Sequence, residues 1–289
     1  MSAGPGTPGA LLSLVKFEHT IFALPFAYAG MLLAVEGTPA RLDAPLVLWI
    51  TLAMVGARTL AMALNRIVDA EVDARNPRTA MREIPSGKLS RRSVWMLCAA
   101  SLVLLLVATT QLHPATRVLW PIPVALFVLY PYTKRFTWAC HLVLGVCTGL
   151  APIGAWLAVT GGVAAAPIFM TAGIALWIGG FDVIYATQDV AVDRAQGLHS
   201  IPARFGVARG LWVTRVAHVA SFALLCAVGV VADLGAAYWI SMAAVGALLA
   251  YENAIVRPHD LSRVNAAFFA TNGIIGMVYL AGVGVAVSG

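Results

Sequence analysis

Charge is what this 289-residue chain has least of: Asp, Glu, Lys and Arg together make up 11% of it, against 60% apolar residues. A soluble domain carries roughly 25% charged residues, so an exterior covered by water on all sides is excluded. Cysteine is scarce too. Cys98, Cys140, Cys147 and Cys226 all fall inside apolar stretches with no paired spacing, which excludes a disulfide framework or a thiolate metal site and leaves small packing residues. Basic charge is absent from the first ten residues, MSAGPGTPGA, and no cleavable signal peptide is expected there. Rich in Gly and Pro, residues 1–10 read as a disordered cytoplasmic tail ahead of one domain, 11–289.

What is present is apolar sequence in long runs. The mean hydropathy is +0.85, and runs of about 18 residues or more are long enough to cross a bilayer as helices. Nine candidate spans result, 20–36, 45–67, 93–112, 115–131, 138–160, 164–187, 211–232, 235–256 and 264–287, so the expected class is an all-α polytopic membrane protein. A net charge of +6 invites a nucleic-acid reading, but its distribution argues against one. With the N-terminus inside, all 19 Lys and Arg fall at or near the cytoplasmic ends of the spans, except Arg41 and Arg117 outside and Arg58 within span 2. That is the positive-inside bias of a protein in the cell's inner membrane, with the lipid bilayer as partner and no nucleic acid.

Against this background, carboxylates recur where apolar runs end. Asn65, Asp69 and Asp73 are four residues apart, and Asp182, Asp189 and Asp193 are seven and four apart. Four residues turn a helix by about 400°, so each set is expected to form one stripe. Two facing stacks of carboxylates repel unless a cation lies between them. Hard oxygen ligands in this number suit Mg²⁺, which takes one or two carboxylates and fills its other positions with water and phosphate oxygens. The expectation is a metal-bridged diphosphate.

Other residues extend that site. Arg75, Arg78 and Arg82 follow the first motif closely enough to clasp a diphosphate, while Arg91 and Arg92 read as ordinary cytoplasmic charge. Arg66 within the first motif and Arg204 in the tail of the second complete the basic set. In the turn Tyr130-Pro131-Tyr132-Thr133-Lys134-Arg135, Lys134 is a candidate for the leaving phosphate and Tyr130 for the reacting centre; interfacial anchoring is the other reading of both. Arg58, seven residues before Asn65 inside span 2, is costly in a membrane and therefore a functional candidate. His141 reads as a packed helix histidine and is left unassigned. An offset of 120 residues lays Asn65, Asp69 and Asp73 on Tyr185, Asp189 and Asp193, which hints at a duplicated four-span unit. Spans 7 to 9, with Glu252, Asn253 and Asn272 as polar exceptions, carry no readable chemistry.

NRIVDAEVD with its basic PSG loop, DVIYATQDVAVD followed by GLHSIPARFG, Tyr130 and Lys134 in the middle turn, and the entry segment KFEHTIFALPF together resemble the UbiA-type intramembrane aromatic prenyltransferases, over about residues 16–206. The resemblance implies nine helices around a central cavity capped by two cytoplasmic loops. It makes Asn65, Asp69 and Asp73 one metal and diphosphate site, Asp189 and Asp193 the other, and sets Asp182 near the reacting carbon. It also implies transfer of a polyprenyl group from an allylic prenyl diphosphate to an aromatic acid. GLHSIPARFG points toward 4-hydroxybenzoate or a dihydroxynaphthoate as acceptor, on the way to ubiquinone or menaquinone. Arg58 is the candidate for the acceptor carboxylate, with Lys16 and Arg66 as rivals. Two other readings compete: a membrane alcohol phosphotransferase, whose Asp-Gly and Ala-Arg pairs do not occur together here in a single compact motif, and a transporter, which places carboxylates near mid-bilayer rather than at one face.

Overall fold

Apolar runs that cannot face water and must satisfy their own backbone fold as helices, and the computed structural model, which describes residues 8–15 and 23–288, is built of them. In chain order the helices are α1 Pro8–Val15, α2 Leu24–Glu36, α3 Ala44–Val68, α4 Ala70–Ala74, α5 Arg91–Thr110, α6 Thr116–Leu119, α7 Pro121–Thr133, α8 Cys140–Thr160 and α9 Ala165–Ala186. They continue with α10 Val190–Ala195, α11 Ile201–Phe205, α12 Val207–Val231, α13 Ala236–Ile255 and α14 Asn272–Ala286, the last entered through a π-helical turn, Ala266–Thr271. Among the described residues, six helical segments are long and apolar enough to cross a membrane: α3, α5, α8, α9 continued to Ala195, α12, and α14 with its π turn. Helix α2 is a shorter apolar one. The protein is therefore a multi-pass membrane protein. Large apolar side chains on the outer faces, Val103, Ile122, Trp212, Val219, Ile240 and Ile274 among them, suit lipid rather than water.

The expected spans 45–67, 93–112, 138–160, 164–187, 211–232, 235–256 and 264–287 match helices within a few residues; 20–36 begins outside the described residues, 115–131 is divided between α6 and α7, and the first ten residues do not read as expected throughout. Helix α1 begins at Pro8, inside the stretch assigned to the tail. Lys16, Glu18 and His19 of the entry segment, Lys16 being the rival to Arg58, lie outside the described residues, as do residues 1–7.

Local chemistry sets the helix ends. Asp43 accepts a hydrogen bond from the Leu46 amide (2.8 Å) at the start of α3, Ser90 from the Ser93 amide (3.0 Å) at α5, and Ser200 from the Ala203 amide (3.2 Å) at α11. Gly161, with φ of 71°, closes α8 in the left-handed region.

Helix α8 packs against α9 and α2, α9 against α12, α3 against α5 and α7, and α14 against α13 and α2. Small residues permit these close approaches. A Cβ on Gly145 would overlap the Ala175 carbonyl across the α8–α9 interface, and one on Gly56 would lie 2.9 Å from the Ser101 carbonyl oxygen across α3–α5. Gly145→Val is thus expected to destabilise the protein by about 3 kcal/mol or to prevent folding. Gly154→Val, on the same helix but with open space around it, should leave thermal unfolding in detergent unchanged; equal behaviour of the two variants would contradict the packing.

The largest core cluster joins α2, α9, α12, α13 and α14 around Phe26, Trp177, Phe181, Tyr238 and Tyr279. Within it Asn272 accepts a hydrogen bond from Trp177 Nε1 (2.9 Å) and donates to Glu252 Oε1 (3.0 Å). The polar exceptions of the last spans thus hold three helices together.

Candidate active site

Both acidic motifs sit where long helices break at one end of the bundle. Helix α3 stops at Val68 and α4 restarts at Ala70, with Asp69 as the joint, although the Asp69 amide still bonds the Asn65 carbonyl (2.9 Å) and the Asp73 amide the Asp69 carbonyl (2.8 Å). The second motif is broken further: α9 ends at Ala186, a 3₁₀ turn covers Thr187–Asp189, and α10 comes after it. An unbroken carboxylate stripe was expected in each case, and this corrects it. A 3₁₀ turn holds about three residues rather than 3.6, so it rotates the helix beyond it. Asp189 consequently faces the first loop while Asp182 faces α8.

A cavity of about 170 Å³ lies between the motifs, lined by Asn65, Asp69, Asp73, Arg78, Arg82, Tyr130, Lys134, Asp182, Asp189 and Asp193, among others. Of the five carboxylates that line it, Asp69, Asp182 and Asp189 hold a partner from a distant part of the chain, and Asp73 and Asp193 a local one. Lys134 Nζ lies 2.6 Å from Asp69 Oδ2, which also accepts from Asn65 Nδ2 (3.0 Å), and Arg135 stands 3.5 Å from Asp69 Oδ1. Arg82 donates through one nitrogen to both oxygens of Asp73 (2.7 and 2.8 Å). Arg78 grips Asp189 with two nitrogens and donates to the Tyr185 hydroxyl (2.6 Å), while Asn76 Nδ2 adds a bond to Asp189 (2.9 Å). His141 Nδ1 meets Asp182 Oδ2 at 2.6 Å. Asp193 accepts from Ser200 (2.8 Å), a residue seven further along the chain. Backbone bonds from His199 to the Lys134 carbonyl (2.7 Å), with Gln196 Nε2 on the Val72 carbonyl (3.3 Å), tie the three loops together. Burial holds the Asp69 carboxyl above the usual carboxylate range, with Lys134 pulling the other way.

The UbiA prenyltransferase family model matches residues 23–274. The chain belongs to this family. Among its relatives, 4-hydroxybenzoate octaprenyltransferase of Xanthomonas euvesicatoria pv. vesicatoria is 31% identical over 99% of this chain and 94% of its own. Among solved structures, a UbiA homolog from Aeropyrum pernix K1 superposes with a TM-score of 0.83 at 33% identity, covering 93% of this chain and 98% of that one. A UbiA homolog from Archaeoglobus fulgidus bound to DMAPP and Mg²⁺ shares the fold, with a TM-score of 0.73 at 18% identity over 96% of this chain and 99% of its own. The protein is a prenyltransferase enzyme, and membership of the family sets aside the phosphotransferase and transporter readings.

In this UbiA-family chain the cavity gathers ten of the residues expected from sequence and leaves out four. Arg66 is buried but turned from the lining, its charge coupled to Arg82, Asp73, Glu83 and Asp69. Arg75 is exposed, and Arg204 lies over the Phe205 ring outside the cavity. Arg58 sits on α3 about 10 Å below Asn65 by helical rise, outside the lining, and its buried Nε has no hydrogen-bond partner among the described residues. Sequence reasoning missed Asn76, Thr79, His141 and Ser200 in the cavity wall. Asn76 shows in the sequence only as the first residue of the turn-forming pair Asn76-Pro77, and Ser200 only as one letter of the second tail.

The donor set suits a hard divalent cation. Five carboxylates from two motifs line one cavity, and the buried Asp69 Oδ1 has no hydrogen-bond partner among the described residues. No three His, Cys, Asp or Glu side chains among the described residues are drawn together as a ready-made metal cage. Asp69, Asp73 and Asp189 have Lys134, Arg82 and Arg78 as counter-ions instead.

Proposed function

We propose that this enzyme transfers a polyprenyl group from an allylic prenyl diphosphate to the ring of 4-hydroxybenzoate or a dihydroxynaphthoate, in ubiquinone or menaquinone biosynthesis. The observation that carries the proposal is the convergence of Asp69, Asp73, Asp189 and Asp193 with Lys134, Arg78 and Arg82 on one cavity. In the proposed arrangement the chain crosses the inner membrane nine times. Helices α2, α7 and α13 add to the six longer segments, the N-terminus lies inside, and the two loops cap the cavity from the cytoplasm.

Asp69, Asp73, Asp189 and Asp193 would hold Mg²⁺, which when bound supplies positive charge to the diphosphate. Asn65, Arg78, Arg82 and Lys134 form the proposed diphosphate contacts; Arg66, Arg75 and Arg204 are left out because they do not face the cavity. The three cationic side chains are 23 to 30% exposed, whereas the carboxylates they hold are 3 to 14% exposed. The cations therefore already reach the space a diphosphate would fill, and they stabilise the charge that builds on it as the C1–O bond breaks. The bond's electron pair leaves with the diphosphate, and a ring carbon ortho to the phenol attacks the allylic cation. Tyr130 and Asp182 line the cavity beside this centre.

Membranes given geranyl diphosphate, Mg²⁺ and either acceptor should yield a product heavier by one geranyl group. EDTA should stop its formation and added Mg²⁺ restore it; activity insensitive to EDTA would remove the metal from the proposal. Arg58 also lies outside the lining, but its buried Nε, with no hydrogen-bond partner among the described residues, leaves it a donor to offer, and it is assigned to the acceptor carboxylate. A charge-assisted hydrogen bond of about 1.5–3 kcal/mol makes Arg58→Ala raise the acceptor KM by about tenfold to a hundredfold, with the donor KM within about twofold. Equal changes in both constants would give Arg58 a packing role.

A further inference from the structure

Prenyl transfer to a ring carbon displaces a proton, and one buried pair in the cavity wall has no part in diphosphate binding. His141, the second residue of α8, is 4% exposed, with Nδ1 2.6 Å from Asp182 Oδ2. Its other ring nitrogen, Nε2, lies 3.3 Å from the backbone nitrogen of Ile201. A backbone N–H can only donate, so Nε2 accepts and the ring proton resides on Nδ1. Nδ1–H therefore donates to Asp182 Oδ2, which fixes the orientation of the carboxyl.

Asp182 has no Lys or Arg partner among the described residues, whereas Asp69, Asp73 and Asp189 in the same cavity each have one. His141 is its hydrogen-bond donor instead. The bond engages Oδ2 alone. Among the described residues nothing holds Oδ1, and the Asp182 side chain, 20% exposed, lines the same cavity as Tyr130 and Lys134.

We infer that His141 is a positioning residue that holds Asp182 by Oδ2, with Oδ1 presented to the cavity as the acceptor of the ring proton. The inference deepens the proposed aromatic prenyl transfer and rests on it. After the ring has formed its bond to the prenyl C1, the C–H bond at that ring carbon breaks. Its electron pair returns to the ring and the proton passes to Asp182 Oδ1. The carboxyl then gives the proton to an oxygen of the departing diphosphate, which already holds the electron pair of the C1–O bond. No further reactant is needed.

The two duties of the ring, donating to Asp182 and accepting from Ile201, separate by substitution. An Asn amide reaches the place of Nδ1 and a Gln amide the place of Nε2. In membranes with geranyl diphosphate, Mg²⁺ and the acceptor that wild type uses, His141→Asn is expected to keep kcat within about threefold. His141→Gln should lose about a hundredfold in kcat, within the range of general acid–base effects, with donor KM unchanged. The reverse order would make the ring an anchor for Ile201, and equal losses would make it a matter of shape; either overturns the inference. Donor-dependent thermal stabilisation of each detergent-solubilised variant shows that it is folded. If wild type prenylates neither acceptor, the proposed function falls and this assignment with it; a working wild type with an active His141→Gln sinks the assignment alone.

Discussion

Asp69→Asn is expected to reduce product formation by at least about a thousandfold, the size of losing an electrostatic element that acts on the transition state, while the protein still accumulates in the membrane. Asp69 is 2% exposed and is the only carboxylate in reach of Lys134, at 2.6 Å, and of Arg135, at 3.5 Å, among the described residues. The amide keeps the shape and the hydrogen bond to Asn65 but removes the negative charge that a metal–diphosphate complex would need. Breaking a fully buried ion pair costs about 3–5 kcal/mol in stability. Here Lys134 and Arg135 are 28% and 33% exposed, so water covers much of the loss and the fold persists. Product mass and the elution profile of solubilised protein separate the two effects. More than a tenth of wild-type turnover in the variant would take Asp69 out of the catalytic machinery, and an aggregated protein would make its role structural.

How far the sequence disclosed this site depends on which interaction is asked about. Span positions were legible because apolar runs in a bilayer have one solution, the helix, and α3, α5, α8 and α9 fall where hydropathy put them. The ends of those runs, where carboxylates recur at four-residue spacing, were legible for the same reason. The break at Thr187–Asp189 was not, since no Gly or Pro marks it. Nor were the pairings, because Arg78 with Asp189 and His141 with Asp182 join residues 111 and 41 apart with no shared period. Arg66 illustrates a signal that was present and passed over. It stands directly after Asn65, and adjacent residues on a helix point about 100° apart, so the motif that turns Asn65 and Asp69 into the cavity turns Arg66 out of it. Charge near a site in sequence is not charge in it, as Arg75 and Arg204 also show.

Arg78→Ala is expected to lower kcat/KM for the prenyl diphosphate by about a hundredfold to a thousandfold, the range for removing one preorganised donor. Arg78 places its guanidinium on Asp189 and on the Tyr185 hydroxyl and so links the first loop to the second motif. Two accounts of this residue are possible: a strut between the loops, or a diphosphate ligand that rests on Asp189 until the donor arrives. They diverge when the charges are exchanged. Arg78→Asp combined with Asp189→Arg can rebuild a strut, so under the first account activity returns with thermal stability. Under the second, the exchange takes a carboxylate from the metal set and a cation from the diphosphate, and activity stays lost even where stability recovers. The second outcome is expected, because Arg78 is 30% exposed on the cavity side of a pair whose carboxylate is 14% exposed. Arg78→Lys adds a graded check. It keeps the charge but not the planar fork that matches two phosphate oxygens, so a loss of about tenfold in kcat/KM, smaller than for Ala, is the signature of a diphosphate contact.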